Sequence, residues 1–329
     1  MPIVSILQGM EPFDLTLKAL NLIMTDFPFS PYDKVLIKPN YVAAKEPKTG
    51  VTTDIRIIKG VIKFFKDRGV KTIKIAEGSG FSDTVKAFRL VGIDHVANHH
   101  QVDLVDLNKD EFVEVKIMNA IKLKKVRIAR TVLESNFIVS IPKLKIHNLT
   151  KVSLSLKNMI GVISPKAIMH SSLEEKIVDL LSIVRPHLAL IDGSIGCVGG
   201  ELGGSPVQMN LVIAGTDPVA VDAVGTAIMG IDPSKVKHIQ LAEELGLGVG
   251  NLKKIKIVGE PIRKVKKSFV NLWIVPRLAR FLEVSRISKA LLFTDFGRKL
   301  ILFSYPRICE TELYIKTCLK RIKELLKNI

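Results

Sequence analysis

The chain has 329 residues, 47% of them hydrophobic and 25% charged, which suffices for one large α/β domain or two smaller ones with a real core. Its three cysteines (Cys197, Cys309 and Cys318) show no CxxC spacing, so a disulfide framework, a local zinc site and a locally encoded iron–sulfur cluster are all excluded. The net charge of +17 is uneven: from Asn251 onward 19 Lys and Arg face 6 Asp and Glu, a net +13 that leaves the first 250 residues at about +4.

The predicted elements alternate. In chain order, strands are expected at Ile3–Leu7, Val35–Lys38, Thr72–Ala76, Val102–Val105, Phe137–Ile141, Leu188–Ile191, Asn210–Ala214 and Lys254–Val258. Helical periodicity falls at Phe13–Thr25, Asp54–Arg68, Asp83–Val91, Leu173–Val184, Pro218–Met229 and Ser234–Leu245. Several strands are continuous apolar runs, the pattern of strands covered on both faces. The expected fold class is therefore α/β, a mostly parallel sheet with helices on both faces, in one body or two α/β lobes. The charged stretch Asp106–Arg130 reads as a β-hairpin or an insertion. Residues 1–260 form the expected body and 261–329 a basic amphipathic helical appendage, broken at Pro276 and Pro306. That appendage suits a membrane surface or a partner protein, or is a solvated basic face. No uncharged apolar run reaches about 18 residues, so no spanning helix is expected. The start MPIVSILQGMEPF lacks a basic leader, so a cytoplasmic location is expected, with the appendage allowing peripheral contact at the inner membrane face. Scarce Gln beside abundant Lys and Ile leans toward a thermophilic source.

The chemistry concentrates in Pro142–Gly161, PKLKIHNLTKVSLSLKNMIG. Pro142 favours an extended continuation of the preceding strand. Side chains then alternate, so Lys143, Lys145 and His147 share one face while Leu144 and Ile146 take the other. Three nitrogen groups on one side of a strand end can grip a carboxylate or a phosphate, or hold a metal beside an anionic substrate. Lys38-Pro39-Asn40 ends another strand at the carboxyl edge, where open α/β sheets bind ligands. Thr53 or Asp54 caps the helix that follows. Glu77-Gly78-Ser79-Gly80 is a strand-to-helix turn, neither GxGxxG nor a Walker loop. His95, His99 and His100 fall after a helix end, on what reads as an exposed loop without the spacing of a metal site. Asp192 ends a strand and opens a loop with Gly193, Gly196, Gly199, Gly200, Gly203 and Gly204. Asp192 is a candidate base or metal ligand, with a turn-forming role as the alternative. Asp217 reads as the cap of a helix beginning at Pro218. Asp222 sits in the apolar run PVAVDAVGTAIMGI and requires a partner, for which the lysines of the opening segment or Lys157 are candidates.

In combination these pieces resemble the domain-of-unknown-function-362 family, also labelled uncharacterised iron–sulfur-centre proteins. The matching elements are LIKPN (Leu36–Asn40), TTD (Thr52–Asp54), PKLKIH (Pro142–His147), SLKNMIG (Ser155–Gly161), His170, LIDG (Leu190–Gly193), GTDPVAVDAVG (Gly215–Gly225) and LGLG (Leu245–Gly248), in family order over residues 1–260. Many relatives carry a ferredoxin-like cysteine module, which implies redox chemistry. This chain has no CxxCxxCxxxCP, so any such cluster belongs to a separate ferredoxin-like partner. The order His147, Lys157, His170 is more faintly similar to the nickel-pincer lactate racemase family. That likeness implies a metal held by His147 and His170, a cofactor attached to Lys157, and isomerisation of a hydroxy acid.

The expected site therefore has His147, Lys145 and Asp192 as its catalytic groups and Lys38, Asn40, Lys143, Lys157, Asn158 and Asp222 as substrate-binding residues. Its expected ligand is an anionic small molecule. The other class is a non-enzymatic protein that binds an anion in the lysine cluster and a membrane surface through its tail. Nucleic acid is disfavoured, since a basic patch alone supports only non-specific, salt-sensitive binding.

Overall fold

The computed structural model describes residues 1–24, 29–30, 32–198, 200, 202–203 and 205–269. The chain runs β1 (Ile3–Gln8), α1 (Pro12–Ile23), β2 (Lys34–Pro39), α2 (Ile55–Lys66), β3 (Thr72–Glu77), α3 (Thr84–Val91), α4 (Ile93–His100) and β4 (Asp103–Asp106). It continues through β5 (Phe112–Lys116), β6 (Lys125–Ala129), α5 (Arg130–Leu133), β7 (Phe137–Ile141), β8 (Lys143–His147), β9 (Lys151–Ser153), α6 (Ser155–Asn158), β10 (Ile163–Ser164) and α7 (Leu173–Leu181). The last elements are β11 (Leu188–Val198), β12 (Ser205–Gly215), α8 (Pro218–Ile228), α9 (Lys237–Glu244), β13 (Lys256–Gly259) and α10 (Ile262–Val265).

Ten strands form one sheet in the order β13-β1-β12-β11-β7-β2-β3-β4, with β8 added on β11 and β9 on β8. The segment β11-β7-β2-β3-β4 is parallel throughout, whereas β12 lies antiparallel between β1 and β11. Strand β1 from the start of the chain pairs with β12 and β13 from its later part and joins both halves into one sheet. The charged stretch is indeed a hairpin: β5 and β6 pair antiparallel, and β10 completes a separate three-stranded sheet.

Alternation in the strands feeds two cores. Leu36, Ile138, Ala189, Ile191, Leu211 and Ile213 face one cluster, which includes α7, α8 and α9 residues; their neighbours Val35, Ile37, Val139, Leu188, Leu190, Val212 and Ala214 face the other, with α1 to α4. The central strands β2, β7, β11 and β12 are thus covered on both sides, which explains their continuous apolar runs. Helix α2 shows the local logic well. Asp54 caps it by accepting from Arg56 N, its apolar residues Ile57, Ile58, Val61, Ile62, Phe64 and Phe65 are buried, and Lys63 and Lys66 lie in its last turn. Helix α8 is buried along its whole length, from Pro218 to Ile228.

Two local readings change. His95, His99 and His100 lie within α4, not on a loop, because Gly92 takes a left-handed conformation that ends α3 and starts α4 at once. The glycine-rich segment after Asp192 is largely strand, since β11 runs on to Val198 and pairs with β12. At Gly196 a Cβ would sit 2.8 Å from the Phe269 ring, so glycine there serves close packing. Residues 266–269, just beyond α10, lie on the body: Lys267 N donates to Ile228 O, Phe269 N donates to Met229 O, and Phe269 is fully buried. The basic run expected to form short helices lies, from position 270 on, outside the described residues, as do Cys309 and Cys318. Among the described residues no helix is long and apolar enough to cross a membrane.

Asp217 caps α8 as expected and does more. Its Oδ1 accepts from Val219 N (2.9 Å) and Ala220 N (3.0 Å), and its Oδ2 accepts from Val249 N (3.0 Å), tying the LGLG segment to the helix start. Asp217→Ala is expected to lower stability by about 1–2 kcal/mol in urea unfolding, with Asp217→Asn losing less, since Asn caps nearly as well.

Candidate active site

Strands β2, β3 and β7 run parallel, so Lys38, Glu77 and Ile141 reach the same carboxyl edge. Past Ile141 the chain does not turn away. Pro142 O accepts from Asp192 N (2.8 Å), and β8 continues alongside β11 with Lys143 opposite Asp192 and Lys145 opposite Cys197. A bulge in β11 between Gly193 and Ile195 breaks the register beside Asp192. Leu144 enters the core, so Lys143 and Lys145 are left to face the sheet edge as alternation requires.

Three lysine side chains are buried here: Lys38, Lys143 and Lys145. Lys38 Nζ donates to Glu77 Oε1 (2.8 Å), Pro39 O (3.1 Å) and Asn158 Oδ1 (3.2 Å). An ammonium has three donors, so Lys38 is fully committed. Glu77 in turn accepts from Tyr41 N (2.7 Å) and Gly78 N (2.8 Å). Gly161, the last residue of SLKNMIG, passes so close that a Cβ would lie 2.6 Å from Glu77 Oε1 and 2.7 Å from Lys38 Nζ. Lys143 Nζ donates to Asp192 Oδ2 (2.8 Å) and Ser194 Oγ (3.2 Å). Lys145 Nζ donates to Asn40 Oδ1 and Val51 O. Asn40 Nδ2 donates to Asn158 Oδ1 (3.3 Å), and Asn158 Nδ2 donates to Lys38 O and Ser140 Oγ, so the Lys38 and Lys145 ends form one hydrogen-bonded network. Thr53 locks the floor of this edge by accepting from Asn40 N (2.8 Å) and donating to Ile141 O (2.8 Å).

Asp192 was expected to act as a base. Its Oδ2 accepts from Lys143 and from Asp54 N (2.7 Å), and its Oδ1 accepts from Ser194 N and Ser194 Oγ, so both oxygens are committed and the residue positions Lys143. Asp222 was expected to pair with a lysine. It instead accepts from Ser155 N (2.8 Å) and Leu156 N (3.0 Å), fixing the start of the α6 turn that carries Lys157 and Asn158. Burial raises the Asp222 carboxyl to about 7 against the pull of those two N–H groups.

Burial, with the nearby positive charges of Lys143 and Lys38 adding to it and Cys197 opposing, lowers Lys145 to about 8. Burial and the charge of Lys145 bring Lys157 down to about 7. Burial first, then Lys157 and Lys145, hold His147 well below the usual histidine range, so it is neutral near pH 7. His147 Nδ1 accepts from Leu149 N (3.1 Å) and Thr150 N (3.2 Å), which assigns the ring proton to Nε2 and makes that nitrogen a donor. His170, which is exposed, pairs Nδ1 with Ala167 O (3.2 Å), which places its proton on Nδ1 and leaves Nε2 as the acceptor nitrogen.

The donor set does not fit a metal held by His147 and His170. His147 would have to give up its Nε2 proton while Nδ1 still faces two N–H donors, and no group of three metal-ligating side chains occurs among the described residues. Sequence reasoning did not pick out Glu77 at this edge or His238 in the interior as site residues. Glu77 could have been found, as an acid that ends a buried strand beside the one that ends at Lys38. His238, fully buried on α9, carries no motif around it and had no such signal.

The fold and site define a mostly parallel α/β protein with a lysine-rich carboxyl edge. The family model described as "Domain of unknown function (DUF362)" matches residues 35–227, more than half of the chain, and the chain belongs to that family. A protein of Synechocystis sp. named as thylakoid-associated is 22% identical over 238 residues, covering 66% of this chain and 69% of its own length. Among solved structures, the lactate racemase apoprotein from Thermoanaerobacterium thermosaccharolyticum superposes with a TM-score of 0.42 and 14% identity. It covers 74% of this chain, which spans 56% of that protein's length.

The Lys38–Glu77 pair gives the sharpest test of the network. Glu77→Gln leaves a buried ammonium without its counter-charge and is expected to cost about 3–5 kcal/mol in urea unfolding. The double change Lys38→Met with Glu77→Leu should lose clearly less than the two single changes together; simple additivity would show that the pair is not coupled.

Proposed function

We propose that this protein is an enzyme that binds a small anionic molecule, a carboxylate or phosphate, at the carboxyl edge of its sheet and moves a proton on it. The observation that carries this reading is the burial of Lys143 and Lys145 side by side at that edge, on a rigid strand held by Pro142 and Asp192. Burying charge is costly, and a structure that keeps three lysines inside one edge gains from an anion that shares them.

The roles follow from the committed hydrogen bonds. Lys143 uses two of its donors on Asp192 and Ser194, and the third is available to an oxyanion. Lys145, at about 8, is neutral in roughly a tenth of molecules at pH 7, and in that form it can accept a proton or act as a nucleophile. His147, neutral with its proton on Nε2, donates a hydrogen bond in the manner of an electrophile and does not serve as a base. Lys38, Asn40 and Asn158 hold Lys145 in place. Isomerisation of a small acid is the reaction class these groups suit best.

Two measurements test this reading. Thermal shift across a panel of small carboxylates and phosphates should find stabilisation in the wild type, about 2.7 kcal/mol at a hundredfold excess over Kd, and none in Lys145→Met. Competitive amine labelling should show Lys145 reacting with a midpoint near pH 8. Turnover of any substrate found should rise from pH 6 to 8 as that amine discharges and then level off, while anion affinity falls above pH 8 as the positive charge is lost. A protein stabilised by none of the panel, with Lys145 titrating like a surface lysine, would end the proposal.

A further inference from the structure

Helix α9 places His238 in the interior with no exposed surface, and neither ring nitrogen has a hydrogen-bond partner among the described residues. Buried polar side chains nearly always find a partner, so two vacant nitrogens on one ring call for an explanation. The surroundings supply one. Helix α9 packs against α7 and α8, and α8 bears Asp222, which holds the α6 turn with Lys157. His238 lies close enough to Lys157 and His147 for their charges to act on one another. Burial, followed by Lys157, brings its imidazole down to about 3, so the ring is neutral and offers one N–H and one lone pair.

We propose that His238 forms the inner wall of the site and contacts an oxygen of the bound anion directly. This extends the reading given above and depends on it. A neutral ring suits the position. A second cation beside Lys157 would be repelled, whereas a neutral N–H donates to an anionic oxygen and the other nitrogen accepts from a protonated one. A phosphate or carboxylate seated there would connect β8, which bears Lys145 and His147, to the α6 turn and α9. His238 would then be a ligand-contacting residue although no sequence motif marks it. The competing explanation is a pair of buried waters on the ring.

The experiment uses the full chain with inorganic phosphate and, separately, acetate as probes. Histidine ring nitrogens are followed by long-range proton–nitrogen NMR, and affinities are measured for the wild type, His238→Phe and Lys157→Met. The expected result is a shift of both His238 ring nitrogens on addition of at least one probe and a loss of at least tenfold in affinity for that probe in His238→Phe. If a probe binds while the His238 nitrogens stay unmoved and His238→Phe binds as well as the wild type, His238 is only a water-filled core position and the inference falls, with the anion site intact. If neither probe binds the wild type at tens of millimolar, the anion site itself falls as well. The wild-type spectra decide the matter even if His238→Phe does not fold.

Discussion

An ammonium buried without a counter-charge or a full set of acceptors costs several kcal/mol, and this chain buries three of them at one edge of its sheet. The surrounding architecture follows from that constraint. Lys38 takes Glu77 from the next parallel strand, Lys143 takes Asp192 from the strand on the other side, and Lys145 donates to the side chain of Asn40 and the carbonyl of Val51. Each partner is itself supported. Glu77 draws two backbone N–H groups, and Asp192 draws the N–H that begins the approach to α2. Parallel strands make this arrangement accessible, because they bring the ends of β2, β3 and β7 to one level.

The family motifs acquire physical meaning in this frame. TTD ties β7 to the Asn40 turn through Thr53 and to Asp192 through the Asp54 N–H. SLKNMIG supplies Asn158 to Lys38 and ends in a glycine because the backbone there lies against the Lys38–Glu77 pair. GTDPVAVDAVG supplies two aspartates with different tasks: Asp217 begins its own helix, whereas Asp222 reaches across to begin another. Three segments far apart in sequence therefore meet on one network.

The alternation after Pro142 made Lys143, Lys145 and His147 legible, because an extended chain has a period of two and needs no tertiary information to assign faces. The parallel α/β class was legible for a similar reason, in the unbroken apolar runs. Partner identity was not. Asp222 was read as needing a lysine since it is an acid in an apolar helix; it found backbone N–H groups, which carry no signature in sequence. The continuation of the Leu188–Ile191 strand through Val198 was hidden by its glycines, which look like a loop until Phe269 is seen against Gly196. His238 was hidden altogether, since a lone histidine on a short helix says nothing about what faces it.

The two histidines of the opening segment show how backbone contacts decide side-chain chemistry. The turn after β8 points the N–H groups of Leu149 and Thr150 at His147 Nδ1, so that ring must present a proton on its other nitrogen. The turn before α7 offers His170 a carbonyl instead, so that ring presents a lone pair. The same residue type thus emerges as donor in one place and acceptor in the other, before any ligand arrives. Under the proposed function, the fixed donor at His147 would stabilise negative charge on an oxygen, and Lys145, lowered to about 8, would take up a proton. That asymmetry is set by main-chain geometry, so any substitution that reshapes the Asn148–Thr150 turn would alter the chemistry of His147 without touching the ring itself.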